Sequence, residues 1–267
     1  SIFTLLIVPW LSFSHAEGPG PNIIFVFADD MGFGYLGCYG NRKIKTPVLD
    51  KMAAEGLLFT NFTTSSPVCT PSRTGIMTSH YPARYQMHYA LGKQKDNERF
   101  RMPDYLNPDV TTLTKLFQKS GYVTGHFGKW HLGSTPDAPG PTEYGIDESN
   151  TFSSRDPNQI YEGVSAAEKT GKLIDVTIDF IERHKDKPFY INCWLSDPHV
   201  VLAPSEEQLA EYPDFRARAE GFTGTTQVYY AVITNIDRHM GRLFDKLDRL
   251  GLSENTLVVF SSDNGPS

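Results

Sequence analysis

The sequence predicts an α/β fold with a mostly parallel central sheet flanked by helices. Short apolar runs of strand length alternate with longer amphipathic stretches, glycines mark the joins, and acidic residues gather just after two of the apolar runs. That alternation is what βαβ units produce, and their chemistry collects at the carboxyl ends of the strands.

Asn22 to Ala28 (NIIFVFA) reads as a buried strand ending at Asp29-Asp30-Met31-Gly32. Thr46-Pro47 opens a helix with a capping residue and a proline at its first position. Val48, Leu49, Met52 and Ala53 share one face of it until Gly56. Leu57 to Phe62 is expected to return as a strand. Thr112 to Ser120 is helical, Gly121 turns the chain, and Tyr122 to Phe127 is extended. Ala166 to His184 is a long amphipathic helix with Leu173, Ile174, Ile178 and Ile181 at helical spacing, and Phe189 to Leu195 is the strand after it. Gln227 to Leu250 forms the last helix, Gly251 ends it, and Thr256 to Ser261 is a strand that stops at Asp263-Asn264-Gly265. No internal repeat or linker divides residues 17–267, which read as one domain.

Residues 1–16 read instead as the remnant of a signal peptide. Ile2 to Phe13 is an apolar run of h-region length, and Ser14-His15-Ala16 is a small-residue cleavage site. Export follows: to the periplasm or extracellular space in a bacterium, or to the lysosome in a eukaryote. The run is too short to span a bilayer, no second one approaches that length, and no membrane span is expected.

The chain has 267 residues, 39% of them hydrophobic and 21% charged, which excludes disorder and a coiled coil. Its net charge of −6 argues against nucleic-acid binding by bulk positive charge. A polyanion would have to be held by a few placed cations. Cys38, Cys69 and Cys193 are too few and scattered for a disulfide framework and match no zinc spacing.

Adjacent carboxylates such as Asp29 and Asp30 raise each other's pKa unless a cation neutralises them, although a solvated turn also accommodates such a pair. Asp263 and Asn264 form a second polar strand end, and in a parallel sheet both ends open on one edge. Three carboxylates and an amide oxygen make an all-oxygen set suited to calcium or magnesium. The other unusual element is Cys69-Thr70-Pro71-Ser72-Arg73. Thr70 is a candidate cap for a helix beginning at Pro71, which places Cys69 at the positive helix end, with Arg73 four residues on along the same face.

These residues resemble the formylglycine-dependent sulfatase family, of the arylsulfatase type. Residues 69–73 match its recognition element of cysteine, a small residue, proline, serine and arginine. Gly121-Tyr122-Val123-Thr124-Gly125-His126-Phe127-Gly128-Lys129-Trp130-His131 matches a second signature, and the two acidic pairs fall where the family's metal ligands lie. The resemblance covers residues 22–265. It implies an alkaline-phosphatase-like fold and hydrolysis of sulfate esters of carbohydrates or aryl alcohols.

Carried over by position, a formylglycine-generating enzyme converts Cys69 to Cα-formylglycine, whose hydrate is the nucleophile. Asp29, Asp30, Asp263 and Asn264 hold calcium, or magnesium, against residue 69. Arg73 and Lys129 supply positive charge, His131 is the base that collapses the diol, and His199 protonates the leaving alcohol or binds sulfate. Lys129 and His131 are expected on one side of an extended segment. Trp130 reads as a packing residue, Ser153 or Ser154 as a hydroxyl near the diol, and the segments Tyr85 to Arg101 and Thr135 to Asp156 as substrate loops.

Phe127 and Ser79 depart from the family pattern, the latter where docking to the maturing enzyme is involved. The family also implies a downstream lysine and a smaller C-terminal domain, so the chain is expected to be an N-terminal part. A phosphonate or phosphate ester hydrolase, or a non-catalytic calcium-binding fragment, would carry the same motifs.

Overall fold

The computed structural model describes residues 20–152, 163–213 and 226–266; residues 1–16, Ser153 and Ser154 lie outside them. Five strands, β1 (Asn22–Ala28), β2 (Val123–Lys129), β3 (Glu148–Phe152), β4 (Phe189–Trp194) and β5 (Thr256–Ser262), form one sheet in the order β3-β2-β4-β1-β5. Every neighbouring pair is parallel. Helices α1 (Pro47–Glu55), α2 (Cys69–Thr78), α3 (Gln94–Arg99), α4 (Leu113–Lys119), α5 (Lys169–His184), α6 (Glu206–Ala210) and α7 (Thr226–Arg249) connect or flank them.

Alternation along β1 divides the core. Ile24, Val26 and Ala28 join a cluster with Leu173, Ile174 and Phe180 of α5 and Ile233, Ile236 and Met240 of α7. Phe27, with Trp194 at the end of β4, joins a second cluster that contains Met77 of α2, Leu91, Trp130 and Tyr144. Successive side chains leave a strand on opposite faces, so helices cover both faces and the fold has three layers. Phe127 packs edge-on against Phe180, ring centroids 5.3 Å apart, inside the first cluster.

The register of β1 and β5 sets up the site. Ala28 stands opposite Ser262, and Asp263 N–H donates to Ala28 O at 3.0 Å. One step further the chain brings the two acidic strand ends side by side. Beside them, Gly128 has φ +103° and sits so close to β4 that an added Cβ would lie 1.9 Å from Trp194 O. Only glycine lets β2 pass there and deliver Lys129.

Three expectations need correction. Residues 57–62 form no strand: Leu57, Phe59 and Phe62 are exposed, residues 60–61 turn, and β1 already has β4 and β5 as its neighbours. Helix α2 begins at Cys69, with Val68 at the cap position and no side-chain cap, because the Thr70 hydroxyl is engaged elsewhere. Residues 129–131 are not an extended segment: β2 ends at Lys129 and His131 adopts φ +55°. Strand β3, polar and at the sheet edge, carries no apolar run to announce it. Thr46 holds its expected place before Pro47, but its hydroxyl bonds Asp50 Oδ1 at 3.1 Å instead of capping.

Candidate active site

Strand ends β1, β2 and β5 and the first turn of α2 meet at one point. Arg73 has no exposed surface and lies over the rings of Trp194 and Phe27, its Cζ 5.0 and 5.5 Å from their centroids. Its Nη2 donates to Asp263 Oδ2 at 2.7 Å and to Asp29 Oδ1 at 3.1 Å, and Nη1 donates to Lys129 O at 3.4 Å. Lys129 Nζ donates to both oxygens of Asp29, at 2.8 and 2.6 Å. A planar guanidinium can span two carboxylates; an ammonium suits a single one.

The buried carboxylates respond in opposite directions. Burial pushes Asp29 up, but the nearby charges of Arg73 and Lys129 outweigh it and hold the carboxyl down at about 2. Burial pushes Asp263 up to about 6; Arg73 pulls against this and the charge of Asp29 adds to it. Asp29, Asp30 and Asp263 outnumber Arg73 and Lys129, so the fully ionised cluster carries one excess negative charge in a buried place.

Cys69 Sγ and carboxylate oxygens of Asp29 and Asp263 all lie within 4.8 Å of one another. Burial raises the thiol, with Lys129 and Arg73 pulling it back. Cys69 Sγ is 3.2 Å from His131 Nδ1, and His131 Nε2 is 3.0 Å from Leu91 O. A carbonyl only accepts, so Nε2 carries the proton and Nδ1 turns its lone pair toward residue 69. Burial and Lys129 push the imidazole down to about 3, which keeps it neutral. Thr70 fixes the arrangement: its hydroxyl donates to His131 O and accepts from Leu91 N–H, both at 3.1 Å.

Asp30 occupies the left-handed region at φ +63°. Its N–H donates to Asp263 Oδ1 at 3.1 Å, its carbonyl accepts from Tyr229 Oη at 2.8 Å, and its Oδ1 accepts from Asn264 Nδ2. His199 Nε2 lies 3.6 Å from Asp30 Oδ2, and its Nδ1 donates to Val200 O at 2.6 Å. The side chain of His199 is 40% exposed, at the open side of the cluster. Trp130 is buried, 4.9 Å from His126 and 5.1 Å from Tyr144 between ring centroids, as a packing residue would be.

The nine residues given catalytic or metal-binding roles therefore fall in or beside one cluster, while Ser153 and Ser154 lie outside the described residues. Leu91, Tyr229 and Asp197 join them unannounced. Asp197 O accepts from Asp29 N–H at 3.1 Å, and its buried carboxylate accepts from Thr170 at 2.5 Å. Leu91 and Asp197 touch the cluster through main-chain carbonyls, which leave no mark in a sequence.

The sulfatase family model matches residues 21–267. The chain belongs to the sulfatase family. Human N-acetylgalactosamine-6-sulfatase is 31% identical over 287 residues, covering 92% of this chain and 50% of the human protein. The N-acetylgalactosamine-6-O-sulfatase of Bacteroides thetaiotaomicron is 28% identical over 321 residues, covering 92% and 59%. The crystal structure of Ps i-CgsB in complex with k-i-k-neocarrahexaose superposes with a TM-score of 0.77 at 27% identity, covering 93% of this sulfatase chain and 59% of the other. The fold is thus that of alkaline-phosphatase-like sulfatases, and the chain spans about half the length of the curated relatives it matches.

Membership implies a metal and a formylglycine in general terms, and the residues present fit both. Asn264 Oδ1 is buried with no hydrogen-bond partner, an oxygen donor left over beside three carboxylates. Residue 69 stands against that oxygen set at the first turn of α2, where unfilled N–H groups favour an anion. Among the described residues no helix is long and apolar enough to cross a membrane.

Proposed function

We propose that this chain carries the catalytic centre of an exported sulfuric ester hydrolase that removes sulfate from a sulfated carbohydrate. In this reading a formylglycine-generating enzyme converts Cys69, and Asp29, Asp30, Asp263 and Asn264 hold calcium. The observation that carries it is the meeting of Cys69, Asp29 and Asp263 within 4.8 Å, braced by the buried Arg73 and Lys129.

Charge explains the composition of the site. Three carboxylates and two cations leave one negative charge; a bound dication reverses the sign, as an anionic substrate requires. Calcium would also polarise a sulfate oxygen and help to ionise the nucleophile. A hydrated aldehyde at residue 69 would offer one hydroxyl to attack sulfur and a second whose loss of a proton expels sulfate, an exit a thiol lacks.

The side chains supply the rest. Arg73 holds two metal-binding carboxylates in place and keeps them ionised. Lys129 neutralises Asp29 and raises the positive potential at residue 69. His131, neutral with its Nδ1 lone pair toward residue 69, takes up a proton there; its other nitrogen, fixed on Leu91 O, holds the tautomer. His199, partly exposed beside Asp30, gives a proton to the departing alcohol. The relatives named as N-acetylgalactosamine-6-sulfatases and the neocarrahexaose complex favour a sugar as that alcohol.

Turnover of 4-nitrophenyl sulfate and of a panel of sulfated sugars, by full-length protein co-expressed with a generating enzyme, tests this reading. Sulfate release is expected, falling by about a thousandfold or more in Cys69→Ala. Release from none of the esters would overturn it.

A further inference from the structure

Residues 88–102 form a rim fixed to the site at Leu91, whose N–H reaches Thr70 and whose carbonyl reaches His131. Tyr89 and Lys93 each stand two residues from Leu91, within about 7 Å of it along the chain. The rim is rigid. Asn97, fully buried, accepts from Gly92 N–H at 2.9 Å and donates to Asp104 Oδ1 at 2.6 Å and Ser134 Oγ at 3.1 Å, while His88 and Tyr89 N–H groups meet Met102 sulfur.

This rim presents aromatic rings and cations to solvent. Tyr89 and Phe100 pair with ring centroids 4.9 Å apart, yet remain 49% and 41% exposed. Arg99 lies over Phe100 at 5.7 Å. Lys93, Lys95, Arg99 and Arg101 outnumber Asp96 and Glu98 in a chain of net charge −6. On α5 and α7, Arg183, Arg238, Arg242 and Lys246 are each ion-paired with a carboxylate; among the described residues the four rim cations are in no such pair.

We infer that this rim is a subsite for the sugar next to the sulfated one, in an oligosaccharide carrying a second anionic group. The ring's C–H face would lie on Tyr89 and Phe100, and its sulfate or carboxylate would meet Lys93 and Arg99. The inference rests on the proposed hydrolase reading and extends it to a polyanionic glycan. Exposed aromatic rings and unpaired cations on a pre-set loop bind such a chain without having to be ordered first.

Binding of a chondroitin 6-sulfate tetrasaccharide to full-length protein carrying Cys69→Ala, followed by titration calorimetry at low and physiological salt, tests the subsite apart from catalysis. Lys93→Gln with Arg99→Gln is expected to raise Kd about tenfold at low salt and to flatten its salt dependence. Tyr89→Ala is expected to raise Kd about fivefold. A tetrasaccharide with reduced uronate carboxyls separates the two sources: loss of the tenfold contrast assigns the anion to the carboxylate, and persistence assigns it to the neighbouring sulfate. With Cys69 intact, the same variants should keep kcat/KM for 4-nitrophenyl sulfate within about twofold and an unchanged melting temperature. An unchanged Kd in all variants, or an equal loss on 4-nitrophenyl sulfate, would overturn the subsite. Failure of the wild-type protein to hydrolyse 4-nitrophenyl sulfate would strike the hydrolase reading, with the calorimetry still deciding the subsite.

Discussion

Arg73 donates to Asp263 and Asp29 from a position with no exposed surface, and so its removal leaves two buried carboxylates facing each other. Breaking a buried pair from one side costs about 3–5 kcal/mol, more than the pair itself contributes. Arg73→Ala is therefore expected to lower the urea unfolding free energy by about that amount in metal-free protein and to abolish sulfate release. His126 behaves differently. Burial between Trp130 and Trp194 pushes it from 6.5 down to about 3, so the unfolded chain takes up the proton first. The cost of keeping His126 neutral is absent above pH 6.5 and grows as the pH drops toward 3, by about 1.4 kcal/mol per pH unit. His126→Leu should shrink the stability difference between neutral pH and pH 5 by about 2 kcal/mol in paired unfolding titrations. An unchanged difference would mean that His126 is not the group responsible.

At the scale of elements, β2 depends on Gly128. An alanine there meets Trp194 O at 1.9 Å and keeps a φ of +103° that side chains avoid. Gly128→Ala should cost about 3 kcal/mol or more and move Lys129 off Asp29, seen as a lower melting temperature together with lost hydrolysis. Most elements are legible in the sequence because burial on both faces leaves unbroken apolar runs, as in β1 and β4, and one-sided burial leaves helical spacing, as in α5. The two strand misreadings share a cause. Leu57-Leu58-Phe59 has strand composition but no free edge beside β1, whereas Glu148-Ser149-Asn150-Thr151-Phe152 lacks that composition and becomes a strand by pairing with β2. Pairing is decided by the whole sheet and leaves no local signal.

For the whole molecule, the parallel register of β1 with β5 turns two pairs of residues 234 positions apart in sequence into one set of oxygen donors. The side chains were legible because the motifs name them. The carbonyls of Leu91 and Asp197, and the tight packing that keeps His131 neutral, were not, since any residue type supplies a carbonyl. If the set holds a cation, chelation should lower the melting temperature reversibly, and calcium at a hundred times its Kd should restore about 2.7 kcal/mol. No thermal response to chelator or calcium would argue against a metal at Asp29, Asp30, Asp263 and Asn264.

The carboxylates, the cations and His131 all converge on residue 69. Mass spectrometry of the tryptic peptide 52–73, from full-length protein co-expressed with a formylglycine-generating enzyme, examines it directly. The expected result is an aldehyde at position 69 that a hydrazide traps. A free thiol at that position in every molecule would rule out a formylglycine nucleophile.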